Sequence, residues 1–373
     1  MRINFILCLL FIVHCSFGQK LKKEVVFSQL NSANRYWQSH HKPEVWAFWD
    51  QAAYHTGNME FYKISKSKND LKYSEDWARF NDWKGAKSTN KQQWKYSYGE
   101  TDDYVLFGDW QICFQTYIDL YNLSPSPEKI ARAREVMEYQ IHSANNDYWW
   151  WADGLYMVMP VMTKMYKLTQ DQLYLDKMYT YLQYADRIMF DEEIKLYYRD
   201  AKYVYPKHKS LHGKKDFWAR GDGWVFAALA KVLQDLPKQD RHYDYYRERF
   251  KEMAIAIIRC QQEEGFWTRS MLDPAHAPGR ETSGTAFFTY GLLWGLNEGI
   301  LTDQTFHNAA IKGWNYLSEV ALQADGRIGY VQPIGEKAIP GQVVDVNSTA
   351  PFGVGAFLLA GTEMYRYLDK KIS

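Results

Sequence analysis

Three consecutive tryptophans, Trp149, Trp150 and Trp151, lead into one carboxylate, Asp153, which stands at the head of an almost wholly apolar run from Leu155 to Leu168. A lone Asp among aromatic rings is costly to bury unless it is paired or used, because its charged form loses hydration. Two readings fit it: a helix N-cap, where Asp is favoured and its removal costs about 1 kcal/mol, or an acid with work to do. Polar residues of the same kind stand before other apolar runs, at Asp109, Arg220, Asp222 and Thr282 to Gly284. Arg220 is the most informative of them. A cation gains nothing from the positive end of a helix dipole, whereas a planar guanidinium can grip a carboxylate through two parallel hydrogen bonds. The chain also carries 15 Trp and 29 Tyr. Their rings can stack on sugars, so carbohydrate is the first ligand class to consider, although a large helical core would use the same aromatics.

Two kinds of segment must position these residues. One is apolar nearly all round: Trp110 to Leu123, Leu155 to Leu168, Gly223 to Leu236, Thr285 to Leu296 and Phe352 to Tyr367. The other is amphipathic, as in Tyr174, Met178, Tyr181, Leu182, Ala185, Ile188 and Met189, with charged residues between. Ile130 to Ile141, Tyr246 to Ile258 and Phe306 to Leu322 follow the same period. Helices buried on every side that alternate with helices wet on one side predict an inner ring wrapped by an outer ring. The repeat length, roughly 45–65 residues, exceeds the usual solenoid periods, and six such hairpins account for the chain. Strand signals are sparse, the best being Gly329 to Gln332. The expectation is an all-α, single-domain toroid over residues 19–373. Its inner helices share a direction, so Asp109, Asp153, Arg220, Asp222 and Thr282 to Gly284 meet at one rim, the default place for a site.

The chain's 373 residues balance 45 Lys and Arg against 44 Asp and Glu. A net charge of +1 offers no general attraction to nucleic acid or acidic membranes. Residues 1–18 read as a secretory signal: Met1-Arg2, an apolar run from Ile3 to Val13, then Ser16-Phe17-Gly18. The run is too short to span a bilayer. Cys15 raises the alternative of a lipoprotein anchor, but His14 before it is a poor lipobox residue, so a soluble, exported, periplasmic protein is expected. Cys113 and Cys260 then remain, both in apolar helical contexts and read as buried free thiols. No zinc spacing, phosphate-binding glycine loop or calcium-loop pattern occurs, so neither metal nor cofactor is expected.

Four ordered segments carry a family resemblance: Trp151 to Met157 (WADGLYM), Phe217 to Trp224 (FWARGDGW), Glu281 to Ala286 (ETSGTA) and Tyr330 to Gly335 (YVQPIG). Together they resemble glycoside hydrolase family 105, the unsaturated rhamnogalacturonyl hydrolases, and the related family 88, the unsaturated glucuronyl hydrolases. The resemblance runs from about Asp109 to Tyr367. It implies an (α/α)6 toroid and an enzyme that hydrates the C4=C5 bond left on a terminal uronic acid by a polysaccharide lyase acting upstream. Protonation of C4 in this cyclic enol ether gives an oxocarbenium-like cation at C5, water captures it, and the hemiketal opens to release the neighbouring sugar.

By resemblance, Asp153 is the catalytic acid, and burial against the tryptophans would raise its pKa as that role requires. Asp109 is the expected second carboxylate, with the Asp102-Asp103 pair as rival and with Phe114 standing where relatives commonly have Gly. Arg220 is expected to hold the substrate carboxylate, the alternative being a salt bridge to Asp222 or Asp200. Trp224 is expected to present a ring to the sugar, and Trp218 is a weaker candidate. The segment Tyr197-Tyr198-Arg199-Asp200 lacks the His that some relatives carry there, which makes Arg199 a candidate substrate contact. The following insertion is basic: Lys202, Lys207, His208, Lys209, His212, Lys214 and Lys215. It is read either as a solvated loop or as a rim that meets sulfate, as in an ulvan-type rhamnose-3-sulfate oligosaccharide. An inverting glycosidase with two carboxylates astride a water, a non-catalytic glycan-binding protein and a polysaccharide lyase are the competing functions.

Overall fold

The computed structural model describes residues 21–372; the expected signal segment lies outside them. In chain order the helices are α1 (Lys23–His40), α2 (Trp49–Ser65), α3 (Lys68–Phe80), α4 (Gly108–Gln111), α5 (Cys113–Leu123), α6 (Glu128–His142) and α7 (Ala152–Thr169). Then come α8 (Leu173–Met189), α9 (Ala219–Asp235), α10 (Tyr243–Ile258), α11 (Thr282–Asn297), α12 (Gln304–Tyr316, continued by a π-turn) and α13 (Pro351–Ile372). A two-stranded hairpin, β1 (Phe190–Asp191) with β2 (Leu196–Tyr197), lies between α8 and α9.

Six inner units form a closed ring: α2 packs on α4–α5, then α7, α9, α11 and α13 follow, and α13 returns to α2. Outside them, α3, α6, α8, α10 and α12 each cover the inner helix that precedes them, while α1 covers α13. This is the expected (α/α)6 toroid. The helices foreseen as apolar all round are the inner ones, and the amphipathic ones are outer, because a helix contacted on every side has no face to give to water. The inner seam between α2 and α13 is tight: a Cβ on Gly57 would stand 2.2 Å from the carbonyl oxygen of Gly355. Any larger residue there would push the ring open. Cys113 and Cys260 are free and buried, as expected.

Two features differ from expectation. The first hairpin was not foreseen, because α2 is buried through polar residues: Asp50, His55, Thr56, Asn58 and Glu60 are all inside. Asn58 and Asn34 bond each other, and Asn34 reaches Asp70 of α3, while His55 meets Ser74. A satisfied polar network hides the hydrophobic period that marks the other inner helices. Second, Gly329 to Gln332 is not a strand. Its backbone groups go instead to the α11 start and a nearby turn: Tyr330 accepts from the Thr282 amide, and the Gln332 amide donates to Glu281.

Candidate active site

Five of the six inner units begin in a common way. The cap is Phe48, Phe107, Trp151, Trp218 or Glu281, and the residue two places on is Asp50, Asp109, Asp153, Arg220 or Ser283. Thus Asp153 is second in α7 rather than its cap, and Asp109 is second in α4. The ring closure turns this shared register into one mouth. There Asp50, Asp109 and Asp153 line a cavity of about 510 Å³ with Trp46, Phe48, Trp49, Trp150, Trp151 and Arg199. Tyr98, Glu100, Met157 and Lys202 complete the wall with the Ile334 to Glu336 segment.

Burial sets the protonation of these carboxyls. Asp109 is pushed well above the ordinary carboxylate range, by desolvation first and by the neighbouring Asp153 charge second. Asp153 is also raised by desolvation, but the Arg199 and Arg220 charges pull the other way. Asp50 is raised by desolvation too. One oxygen on each of the three carboxyls has no hydrogen-bond partner in the protein. Native interiors seldom leave buried polar atoms unmatched, so oxygens of this kind are available to a substrate or water. Among the described residues no cluster is arranged to hold a metal.

Arg199 reaches the site through local pairing. The Ala152 amide donates to the Arg199 carbonyl at 2.8 Å, and Trp151 bridges to Asp200, so the segment after β2 is tied to the start of α7. The guanidinium then lies over Trp150 at 5.7 Å and faces three carboxylates. Its Nε is 3.6 Å from Asp153, and its Nη1 is 2.6 Å from Asp200 and 3.4 Å from Glu336. Arg199 is therefore the expected arginine that lines the cavity.

Arg220 is placed differently from the expectation that it holds a substrate carboxylate. It is buried between the rings of Trp218 and Phe352, at 4.6 and 4.8 Å, and makes no pair with Asp222 or Asp200. Its Nη1 donates to the Gln332 carbonyl at 2.6 Å and its Nη2 to the Pro333 carbonyl at 2.8 Å. Burial lowers its pKa to about 10, so it is still a cation at neutral pH. It fixes the base of the segment that carries Ile334 and Glu336 into the wall. Trp218 assists, its indole N–H donating to the Gln332 side chain at 2.8 Å.

Trp224 is fully buried and does not line the cavity. With Trp49, Tyr156 and Phe287 it forms an aromatic floor below the site, ring centroids 4.2–6.3 Å apart. The rings available to a sugar are instead Trp46, Trp49 and Trp150, with the buried Trp151 behind them. Asp222 accepts the Tyr197 amide beneath the site. Asp102 and Asp103 hold turns, through the Lys87 amide and Thr101 with Lys95 respectively, and neither lines the cavity. The basic insertion is largely neutralised away from it. Lys214 and His212 face Asp273, Lys215 meets Asp191 and Glu193, and His208 pairs with Asp216. Of that group Lys202 alone lines the cavity. Asp50 and Glu336 were not foreseen. For Asp50 a signal existed: Phe48-Trp49-Asp50 repeats the aromatic–x–Asp spacing of Phe107-Gly108-Asp109 and Trp151-Ala152-Asp153.

Comparison with known proteins places this arrangement in a family. A match to Glycosyl Hydrolase Family 88 spans residues 21–368. A protein of Formosa agariphila named unsaturated 3S-rhamnoglycuronyl hydrolase is 29% identical over 335 residues, covering 85% of this chain and 84% of that one. A solved structure of a family 88 glycosyl hydrolase from Bacteroides vulgatus is 59% identical, with a TM-score of 0.92 over 93% of this chain and 100% of that chain. Another, named a polysaccharide lyase, is 66% identical, with a TM-score of 0.91 over 93% of this chain and 98% of that chain. The resemblance to families 105 and 88 is thus borne out: the chain belongs to Glycosyl Hydrolase Family 88 and is a glycoside hydrolase.

Proposed function

We propose that this enzyme removes the 4,5-unsaturated uronic acid from the non-reducing end of lyase-generated oligosaccharides by adding water across the C4=C5 bond. The observation that carries the reading is the trio Asp50, Asp109 and Asp153. These are buried carboxyls with raised pKa values at one tryptophan-walled mouth, and a single guanidinium, Arg199, stands within ion-pair reach of one of them. Hydration of an enol ether needs a carboxylic acid that keeps its proton near neutral pH.

Asp153 gives its proton to C4, and the cation that forms at C5 is captured by water. The Asp153 carboxylate then takes a proton from that water, which restores the acid and leaves a hemiketal that opens. Asp109, held neutral by burial, orients the water. Arg199 takes the substrate carboxylate in the role first expected of Arg220. The substrate carboxylate held there lies near Asp153, and its negative charge favours the protonated form of that carboxyl. The finer reading is a rhamnoglycuronyl substrate of ulvan type, with sulfate on the sugar next to the uronate. Lys202 at the rim and the name of the Formosa relative support it. The protein is proposed to be exported to the periplasm and cleaved after Gly18, which the mass of the mature amino terminus checks.

The name of the 66% identical structure favours a second reading, a lyase. A lyase needs a base aimed at a uronate C5 proton. Tyr98, a lining side chain of suitable type, donates to Glu100 at 2.9 Å and has its pKa raised by desolvation, the wrong direction for a base. The ultraviolet absorbance of the conjugated C4=C5 bond separates the readings. On lyase-generated disaccharides it should fall. A rise on intact polymer would establish the lyase instead. Faster loss from a 3-sulfated than from a desulfated disaccharide is expected, and equal rates would remove the sulfate reading.

A further inference from the structure

The mouth of the ring carries an anion of its own. Glu336 belongs to a segment without regular structure, and its side chain is 44% exposed. Even so, its carboxylate collects three donors. Tyr203 donates its hydroxyl at 2.5 Å, Lys202 approaches at 3.3 Å, and the Arg199 guanidinium lies 3.4 Å away. These contacts hold Glu336 below the ordinary carboxylate range, so it is charged. Two cations and a phenol converging on one carboxylate at the rim of a sugar cavity are what a substrate's anionic group would need.

Three carboxylates compete for Arg199, and they are not equivalent. Asp200 is buried and also accepts the Lys202 amide at 2.7 Å, so it is fixed. Asp153 is held in the first turn of α7. Glu336 can leave by side-chain rotation alone. Below it the segment is bolted down: Arg220 holds the Gln332 and Pro333 carbonyls, and the Gln332 side chain donates to the Lys337 carbonyl and to Gln342. The base stays while the tip can yield.

We propose that Arg199, Lys202 and Tyr203 form an anion subsite which, in the free enzyme, is occupied by the enzyme's own Glu336 carboxylate, and that the anionic group of the substrate binds by displacing it. The proposal rests on the hydrolase reading for the identity of the substrate, but not for the existence of the subsite. Together with Asp200, the resident carboxylate neutralises the two cations while the cavity is empty, and it lowers the affinity of any anion that must replace it. The displaced Glu336 then turns to solvent, where its charge is hydrated.

The test is calorimetric titration of the folded protein with two probes, sodium D-glucuronate and inorganic sulfate, at constant ionic strength. Wild type is compared with Glu336→Gln, with melting curves to establish that both are folded. Removing the competing charge should tighten at least one probe by about two- to fivefold, the size expected for partly exposed ion pairs. Tightening of glucuronate assigns the subsite to the uronate carboxylate, and tightening of sulfate to a sulfate on the neighbouring sugar. In turnover, KM should fall by a similar factor with kcat held. If Glu336 instead only braces Arg199, both probes bind the variant equally or more weakly and kcat falls, which overturns the proposal. If absorbance is never lost from unsaturated disaccharides yet a probe binds the variant more tightly, the hydrolase reading fails and the subsite stands.

Discussion

The two mouths of the ring hold similar residues in opposite electrostatic states. Asp109 at the site and Glu60 at the far end are equally buried, each 6% exposed. Asp109 is pushed well up, whereas Glu60 is held well down. Their neighbours account for the difference. Glu60 is flanked by Lys63 at 2.6 Å and Arg366 at 3.3 Å and feels Lys231, while Asp119 pairs with Lys164 and Asp235 with Lys167 at 2.7 Å. There the lysines stand near helix C-terminal ends, where cations are favoured. Asp109 stands at a helix start, where the dipole favours a carboxylate, and is raised all the same because no cation pairs with it. Burial makes a carboxyl expensive at either end. At the far end paired cations offset that cost, whereas at Asp109 desolvation and the neighbouring Asp153 charge go unanswered by an ion pair, and the aromatic floor of Trp49, Trp224, Tyr156 and Phe287 lies between the two ends.

This contrast can be broken from either side. The largest effect is expected at the site: Asp153→Asn should cut the rate of absorbance loss by about 10²–10⁴-fold, the usual range for a general acid, with the melting temperature kept or raised. Next is the far mouth, where Glu60→Gln leaves Lys63, Lys231 and Arg366 without their shared carboxylate. Urea unfolding at pH 7 should show a loss of about 3 kcal/mol, with kcat/KM retained below the transition. Because the folded pKa of Glu60 is depressed, that gap is full above the unfolded carboxylate range and closes as pH falls through the folded value. Trp224→Phe probes the floor between them. It should lower stability by about 1–2 kcal/mol as a core truncation, and KM should stay within twofold; a KM change matching loss of a sugar-stacking ring would return Trp224 to the binding surface. The last effect reverses sign. Asp109 has a raised folded pKa, so its burial costs nothing below the unfolded carboxylate range and costs more as pH rises toward the folded value. Asp109→Asn should therefore melt with wild type near pH 3 and at a higher temperature than wild type at pH 8.

The ring was legible where burial was apolar. The runs Leu155 to Leu168 and Gly223 to Leu236 had no polar face to disguise their place inside. The first hairpin was not, because α2 fills its inner position with Asn58, His55 and Glu60, each matched by a partner that sequence order does not reveal. Within the site, Asp109 and Asp153 were placed at one mouth by the shared helix starts. Arg220 has the right register, yet which way a guanidinium points depends on what covers it. Here the cover is Gln332 and Pro333, more than a hundred residues later. Glu336 had no local signal, since its meaning comes from Arg199 and Lys202 across the rim.

The pairing of α1 with α13 sets an order of events during synthesis. Five hairpins join helices that are neighbours along the chain, but the sixth is assembled from opposite ends, with Lys23 meeting Asp369. A chain made from its amino end therefore presents the apolar face of α1, with Val26, Leu30 and Trp37, long before its partner exists. Until the last helix arrives the molecule is an open arc with two sticky edges, and closure is one late, long-range step.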